Sequence, residues 1–191
     1  HLVRTLPSNG LIIANATGNS LKRVLERGCW TPQEWFNDDA GWRAGEASAE
    51  GGFAVSLAGK EIGRTTLALP GAHNRANALA AIAAARHAGV SPQIALQSVE
   101  RFQGVKRRLE VRGTVRGVTV YDDFAHHPTA IAATIEGLRG RVDKARIIAV
   151  LEPRSNTMKL GSMKAQLPIS LADADAVFCY TNKLGWDAAD A

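Results

Sequence analysis

The stretch Tyr121-Asp122-Asp123-Phe124-Ala125-His126-His127-Pro128-Thr129 places two carboxylates and two imidazoles where a strand is predicted to end and a helix to begin. Residues 117–121 before it are β-branched or aromatic, which is typical of a strand. Pro128 suits the first turn of a helix, and apolar residues at 131, 135 and 138 continue with helical spacing. The stretch therefore predicts a strand-to-helix connection, and ligands of α/β folds bind where strands end.

The polar side chains of this connection have two possible roles. Asp123 is expected to accept hydrogen bonds from ligand hydroxyls, and His126 and His127 are able to meet a phosphate or a metal. The alternative is an acidic helix cap beside two surface histidines, because Asp is common at helix starts. This stretch alone leaves both alternatives open.

A second polar cluster opens an alanine-rich helix. Turn residues lead into His73, Asn74 and Asn77, and the helix is expected to end before Gly89. Asn74 and Asn77 are three residues apart and share one helix face, where paired amides are suited to a purine edge. The alternative, that Asn74 is merely the helix cap, leaves Asn77 and His73 without a role.

A third cluster is basic and lies between the other two. A helix from about residue 92 to 102 is predicted to end near Gly104, and Lys106, Arg107 and Arg108 follow it before an alternating strand at 109–113. Basic residues in a short connection are well placed to bind phosphate. A solvated charge run is the alternative, and it is favoured more for Lys106 and Arg107 than for Arg108.

Composition narrows the class of protein. The 191 residues are 46% hydrophobic and carry a net charge of +5, with a sequence pI near 9.6. The basic residues are dispersed among 18 acids and only 6% of residues are aromatic, so no nucleic-acid surface is expected. Two distant cysteines give no metal or disulfide spacing, and no apolar run approaches a membrane span. We expect a soluble α/β protein.

Turn and glycine positions predict two domains, residues 1–103 and 104–191. In the first, alternating segments between residues 31 and 69 predict a small antiparallel sheet. In the second, strands near Val118, Ile148 and Val177 alternate with helices, which predicts an open α/β sheet.

Taken in order, the three clusters resemble the Mur ligase family of ATP-dependent amide-forming enzymes of the bacterial cell wall. Residues 71–77 look like its G-x-H-N-x-x-N element, residues 102–110 like its hinge, and residues 122–129 like the D-[YF]-[AG]-H-H-P-T motif of its muramate-linked members. The resemblance implies that residues 1–103 are the C-terminal part of a P-loop-type ATPase central domain. Residues 104–191 would begin a Rossmann-like α/β domain.

A further segment indicates a subgroup. Residues 152–159, Glu-Pro-Arg-Ser-Asn-Thr-Met-Lys, resemble family members that join the tripeptide L-Ala-γ-D-Glu-meso-diaminopimelate to UDP-N-acetylmuramate in peptidoglycan recycling. An alanine-adding muramate ligase or another amide ligase of the family is the nearer alternative. A non-enzymatic nucleotide-binding module of the same fold is the more distant one.

The resemblance also implies individual roles for the residues. Nucleotide contacts would come from His73, Asn74, Asn77, Arg108 and Asp123; catalytic contacts from Arg108, His126 and His127; and substrate contacts from Arg154, Ser155 and Asn156. By the same resemblance, Asn74 and Asn77 hold adenine, Arg108 meets the phosphates across the domain gap, and Asp123 contacts the ribose. The implied cofactors are ATP and Mg²⁺, and the reaction passes through an acyl phosphate.

The family's phosphate loop, G-x-x-G-K-[ST], is absent from this sequence. The chain is therefore expected to be a fragment that is inactive alone, with the main magnesium ligands upstream and none of its own. The partners implied are UDP-N-acetylmuramate and the tripeptide, in the cytoplasm, with no nucleic acid or membrane. The sequence does not address the oligomeric state.

Overall fold

The computed structural model describes residues 2–182 and 184–187. The chain divides into two compact units with bounds at His1–Gln103 and Gly104–Ala191. The assignment of these units to the family's central and C-terminal domains stays a prediction. Each unit has its own buried cluster of apolar side chains.

One five-stranded sheet and three helices form most of the first unit. The strands are β1 (Ile12–Asn15), β2 (Gln33–Phe36), β3 (Trp42–Ala44), β4 (Gly52–Leu57) and β5 (Lys60–Thr66), and the helices are α1 (Asn19–Glu26), α2 (Ala72–His87) and α3 (Pro92–Glu100). A 3₁₀ turn at Leu2–Thr5 precedes them. The strands lie side by side in chain order.

The small antiparallel sheet predicted between residues 31 and 69 is confirmed for β3 to β5, and parallel strands extend it into a mixed sheet. β3, β4 and β5 are antiparallel, with a two-residue turn at Ala58 and Gly59, both at positive φ. β1 and β2 extend the sheet as parallel strands, and α1 provides the crossover between these two. β2 meets β3 in parallel through the single pair Phe36 and Trp42. Trp42 and Phe53 of the sheet are fully buried beneath Leu79 and Ile82 of α2.

The second unit contains two separate pairs of strands and shorter helices. The strands are β6 (Glu110–Val115), β7 (Val118–Asp122), β8 (Ile148–Leu151) and β9 (Ala176–Cys179), and the helices are α4 (Pro128–Val142), α5 (Asn156–Lys159) and α6 (Leu167–Ser170). A 3₁₀ turn at Lys164–Gln166 precedes α6. Ile131 and Ile135 of α4 bury one face against Met158, Leu167 and Leu171.

The predicted α/β class is confirmed, but the expected single sheet of the second unit is wrong for its first strand. β8 and β9 pair in parallel across a helical connection, as an α/β fold requires. β7, the strand near Val118, instead forms an antiparallel hairpin with β6. Arg116 and Gly117 both have positive φ, which matches the tight hairpin turn that joins these two strands.

Candidate functional site

The candidate residues of the first unit lie at the start of α2. Gly71 has φ of +98° and precedes the helix, whose first turn receives no side-chain cap. Asn74 Nδ2 donates a hydrogen bond of 2.6 Å to the carbonyl oxygen of Pro70. Asn74 is therefore not the helix cap. Its amide stabilises the turn before the helix and keeps its oxygen and one N–H available.

Asn77 is the less constrained of the two amides. It is exposed and, within the described residues, its side chain makes no hydrogen bond, whereas the adjacent Ala78 and Leu79 are buried in the core. His73, in the first turn, is also exposed. α2 is thus anchored by one face and presents polar groups on another, which is a rigid way to hold a ligand.

The candidate residues of the second unit begin with residues 105–110, called here the basic turn. Arg107 and Leu109 have φ of +60° and +47°, in the left-handed region that non-glycine residues seldom occupy. The backbone N–H of Arg107 donates to Glu110 Oε2 at 2.9 Å, and its carbonyl accepts from Phe124 N at 2.9 Å. These bonds hold a conformation that is unfavourable in isolation.

The two arginines of the basic turn differ in what their side chains contact. Arg107 Nε lies 3.6 Å from Asp122 Oδ2, and its guanidinium lies 5.2 Å from the centre of the Phe124 ring. Arg108 is exposed, and its guanidinium has no hydrogen bond or ion pair to any residue in 2–182 or 184–187. Arg108 is therefore the one available for an anionic ligand.

Asp123 is the centre of residues 122–127, called here the acidic connection. Its Oδ2 accepts from Leu109 N at 2.8 Å, and its Oδ1 accepts from Ala125 N at 2.8 Å and from Thr134 Oγ1 at 3.2 Å. A carboxylate has about four acceptor positions, so roughly one remains for a ligand. Asp123 thus joins the basic turn, the acidic connection and α4.

The hydrogen bonds of the two histidines fix different tautomers. His126 Nδ1 lies 3.0 Å from the carbonyl oxygen of Phe124, so Nδ1 carries the proton and Nε2 of the neutral ring is an acceptor. His127 Nδ1 accepts from Thr129 N at 3.3 Å and caps α4, so Nε2 carries the proton. One imidazole therefore offers an acceptor and the other a donor.

The predicted substrate contacts lie around the short helix α5. Ser155 Oγ accepts from Met158 N at 3.3 Å and caps the helix, so its hydroxyl has a structural role. Arg154 Nε lies 3.7 Å from Glu152 Oε1 with its side chain 79% exposed. Asn156 is exposed. Arg154 and Asn156 are the more accessible of the three predicted substrate contacts.

Electrostatic effects in the second unit follow from the same hydrogen bonds. The backbone N–H of Arg107, and after it Arg112, lower the pKa of Glu110 below its ordinary value. Burial raises the pKa of Cys179, which makes it a poor nucleophile. Within the described part of the chain, no three His, Cys, Asp or Glu side chains group so that they could hold a metal ion.

Two residues support the candidate site through contacts that the sequence analysis did not predict. Thr134 donates to Asp123, and Arg107 contacts Asp122 and Phe124. The sequence does carry a signal for the neighbouring β6–β7 hairpin, because Arg116-Gly117 separates two alternating segments by the length of a two-residue turn. No comparable sequence signal identifies Thr134.

None of the helices in the described ranges is both long enough and apolar enough to span a bilayer.

Comparison with known proteins bears on the same residues. Residues 107–191, which include the basic turn from Arg107, the acidic connection and α5, match the family described as Mur ligase, glutamate ligase domain. Over 180 residues, 93% of this chain, it is 50% identical to the UDP-N-acetylmuramate–L-alanyl-γ-D-glutamyl-meso-2,6-diaminoheptandioate ligase of Escherichia coli. The chain belongs to the Mur ligase family.

Other Mur ligases support the membership at different distances. A murein peptide ligase from Psychrobacter arcticus has a solved structure that is 40% identical, covers 94% of this chain and superposes with a TM-score of 0.68. The UDP-N-acetylmuramate–L-alanine ligase of Caldanaerobacter subterraneus is 37% identical over 78% of this chain. The chain spans only 39% of the Escherichia coli protein and 38% of the Psychrobacter chain. The roles of individual site residues stay predictions.

Proposed function

We propose that this chain is part of an ATP-dependent ligase that joins L-Ala-γ-D-Glu-meso-diaminopimelate to UDP-N-acetylmuramate in the cytoplasm. The observation that carries the proposal is the 50% identity to the Escherichia coli ligase named for these substrates, which extends over 93% of this chain. The candidate residues are consistent with this reaction, because their uncommitted groups are amides, a guanidinium and an imidazole acceptor. These groups suit an anionic nucleotide and a proton transfer.

In the first unit, Asn74 and Asn77 bind adenine. The exposed Asn77 amide offers both a donor and an acceptor, and Asn74 retains its oxygen and one N–H. Such pairs complement the N–H₂ donor and ring-nitrogen acceptor of an adenine edge. His73 lies one residue before Asn74, in the same first turn, and contributes to the same contact.

In the second unit, Arg108 and Asp123 bind the rest of the nucleotide. The positive guanidinium of Arg108 neutralises phosphate charge. Because the guanidinium is planar, it can also donate two parallel hydrogen bonds to one phosphate. Asp123 accepts one ribose hydroxyl through its remaining acceptor position, since three donors already occupy the others. A bidentate contact with both hydroxyls would require one of these internal bonds to break.

The chemistry forms an amide after the muramate carboxylate is phosphorylated to an acyl phosphate. Catalysis of phosphoryl transfer relies on positioning and on charge neutralisation, which is the role of Arg108. His126 Nε2 is an acceptor and suits removal of a proton from the attacking amine, whereas His127 Nε2 is a donor. Arg154, Ser155 and Asn156 contact the tripeptide, with Arg154 and Asn156 the more accessible.

We propose that the whole enzyme also uses Mg²⁺, as its family does, and that the ion would supply positive charge to the phosphates of ATP. The described residues contain no group of side chains that fits a metal ion, so no step is assigned to a metal ligand of this chain. The chain's own contribution is to bind and orient the nucleotide and the tripeptide.

The proposal is tested with the full-length enzyme that contains this chain. UDP-N-acetylmuramate and ATP are supplied with either the tripeptide or free L-alanine, and phosphate release is measured together with the mass of the product. We expect turnover with the tripeptide and at least tenfold less with alanine. Preference for alanine would assign the alanine-adding activity instead. Failure of both amines with a folded enzyme would contradict the ligase proposal.

A further inference from the structure

Arg107 has no role in the proposed reaction, yet both its backbone and its side chain contact neighbouring residues. Its N–H donates to Glu110, its carbonyl accepts from Phe124 N, and its side chain meets Asp122 and the Phe124 ring. Backbone and side chain therefore both attach this residue to neighbouring groups. The side chain of Arg107 is 52% exposed, so the significance of its contacts lies in the backbone that they fix and not in the strength of the ion pair.

The conformation of the basic turn explains why these contacts matter. Arg107 and Leu109, the residues on either side of Arg108, both have positive φ. Non-glycine residues seldom adopt this conformation unless the surroundings hold them in it. Leu109 is held by the hydrogen bond from its N–H to Asp123 and by burial of its side chain, which is 8% exposed. Arg107 is held by Glu110 and by the acidic connection.

We propose that Arg107 is a positioning residue that holds the basic turn on the acidic connection and so fixes the backbone from which Arg108 reaches its phosphate. This inference rests on the proposed function, because it gives Arg107 a role only through Arg108. It assigns different roles to two neighbouring arginines, one structural and one a ligand contact. The backbone N–H of Arg107 is also the largest cause of the lowered pKa of Glu110, which places Glu110 in the same turn without involving the guanidinium.

The competing assignment is that Arg107 itself binds the anion. Its guanidinium already lies 5.2 Å from the centre of the Phe124 ring and its Nε lies 3.6 Å from Asp122 Oδ2. Binding a phosphate would compete with the carboxylate of Asp122 for the same positive charge. Arg108 has no such competitor within the described residues.

A double-mutant cycle in the full-length enzyme separates these assignments. Arg107→Ala, Arg108→Ala and the double variant are compared for kcat and for KM of ATP and of the tripeptide. Arg107→Lys keeps the charge near Asp122 and Phe124 and serves as the conservative variant. Arg116→Ala is the matched control, because Arg116 is also an exposed arginine at positive φ, of +51°, in the same unit.

Positioning predicts strong coupling between the two arginines. Arg107→Ala should lower kcat/KM for ATP roughly tenfold in the wild-type background and less than about twofold in the Arg108→Ala background. Arg107→Lys should recover most of the loss, and Arg116→Ala should match the wild type. Hydrogen exchange across residues 105–125 should quicken in Arg107→Ala, since the carbonyl that accepts from the Phe124 N–H is no longer fixed by the side-chain contacts with Asp122 and Phe124.

Three results would overturn the inference. Multiplicative losses in the double variant would make Arg107 an independent ligand contact. Equal losses for ATP and tripeptide, with a lowered Tm in Arg107→Ala and Arg107→Lys alike, would make its role general stability. Wild-type kinetics in Arg108→Ala would remove both this inference and the proposed role of Arg108, whereas the first two results leave that role intact.

Discussion

The start of α2 and the acidic connection hold candidate ligand groups in different ways. At α2, Leu79 and Ile82 are 0% and 1% exposed, whereas the nearby Asn77 is exposed and its amide makes no hydrogen bond to any residue that the structure describes. At the acidic connection, Asp123 accepts three internal hydrogen bonds and His127 caps a helix. The proposed ligand contact is therefore separable from folding at Asn77 and coupled to folding at the acidic connection.

Replacement of Asp123 should give the largest effect, because it removes both functions together. Asp123→Ala leaves the N–H groups of Leu109 and Ala125 without an acceptor. We expect a loss of about 2–4 kcal/mol in the free energy of unfolding, measured by urea denaturation, and a raised KM for ATP. Asp122→Ala is the matched control and should cost under about 1 kcal/mol, since its ion pair with Arg107 is partly exposed. Equal costs for the two would contradict the central role of Asp123.

Replacement of the two asparagines should separate binding from stability within the first unit. In the full-length enzyme, Asn77→Ala should raise KM for ATP by roughly fivefold or more, with unchanged Tm and unchanged KM for the tripeptide. Asn74→Ala should raise the same KM and also lower Tm, because its amide holds the Pro70 carbonyl. If the KM for the tripeptide rises while that for ATP stays constant, both residues belong to another subsite.

The two histidines should differ in the same manner at smaller magnitude. His127→Ala removes the cap of α4 and should cost about 1 kcal/mol in unfolding free energy, whereas His127→Asn, a good cap, should retain most of it. His126→Ala should leave stability nearly unchanged and lower kcat. Thermal unfolding beside steady-state kinetics checks both. A stable His127→Ala variant would show that the cap contributes little.

The smallest effect should come from the carboxylate that supports the basic turn. The pKa of Glu110 is lowered from 4.5, chiefly by the Arg107 N–H, so its contribution is present above pH 4.5 and is lost as the pH falls through the folded-state pKa below it. Wild type should therefore unfold at a higher Tm than Glu110→Gln at about pH 6, and the two should converge as Glu110 becomes protonated. A difference in Tm that persists below that range would assign the effect to something other than ionisation.

The sequence predicts the elements of this fold better than their pairing. Turn and glycine positions locate α2, α3 and β3 to β5 because each has a local signal, such as the pair Ala58-Gly59. The antiparallel partner of β7 was missed, because alternation identifies a strand without stating which neighbour it pairs with. The mixed sheet was missed for the same reason, since the parallel pairing of β1 and β2 is not local.

The candidate site shows a related limit. Motif resemblance selects Asp123, His127 and Ser155, and the structure gives each of them an internal hydrogen bond that the sequence does not reveal. Residue type tells which hydrogen bonds a side chain can make. It does not tell how they are used, because carboxylates and imidazoles can serve a ligand or the fold equally well. Only the positions of backbone N–H groups distinguish these uses, and those positions depend on tertiary structure.

The order of strands in the first unit has a consequence for how the chain acquires its structure during synthesis. Because β1 to β5 lie side by side in chain order, each strand pairs with one already made, and few long loops must close. The sheet alone cannot cover Trp42 and Phe53, whose partners Leu79 and Ile82 lie on α2. Burial of this core therefore needs α2, and it also needs α3, whose Ala95 and Leu96 belong to the same buried cluster. The helix that bears the proposed adenine contacts is thus also an element that the core of this unit needs.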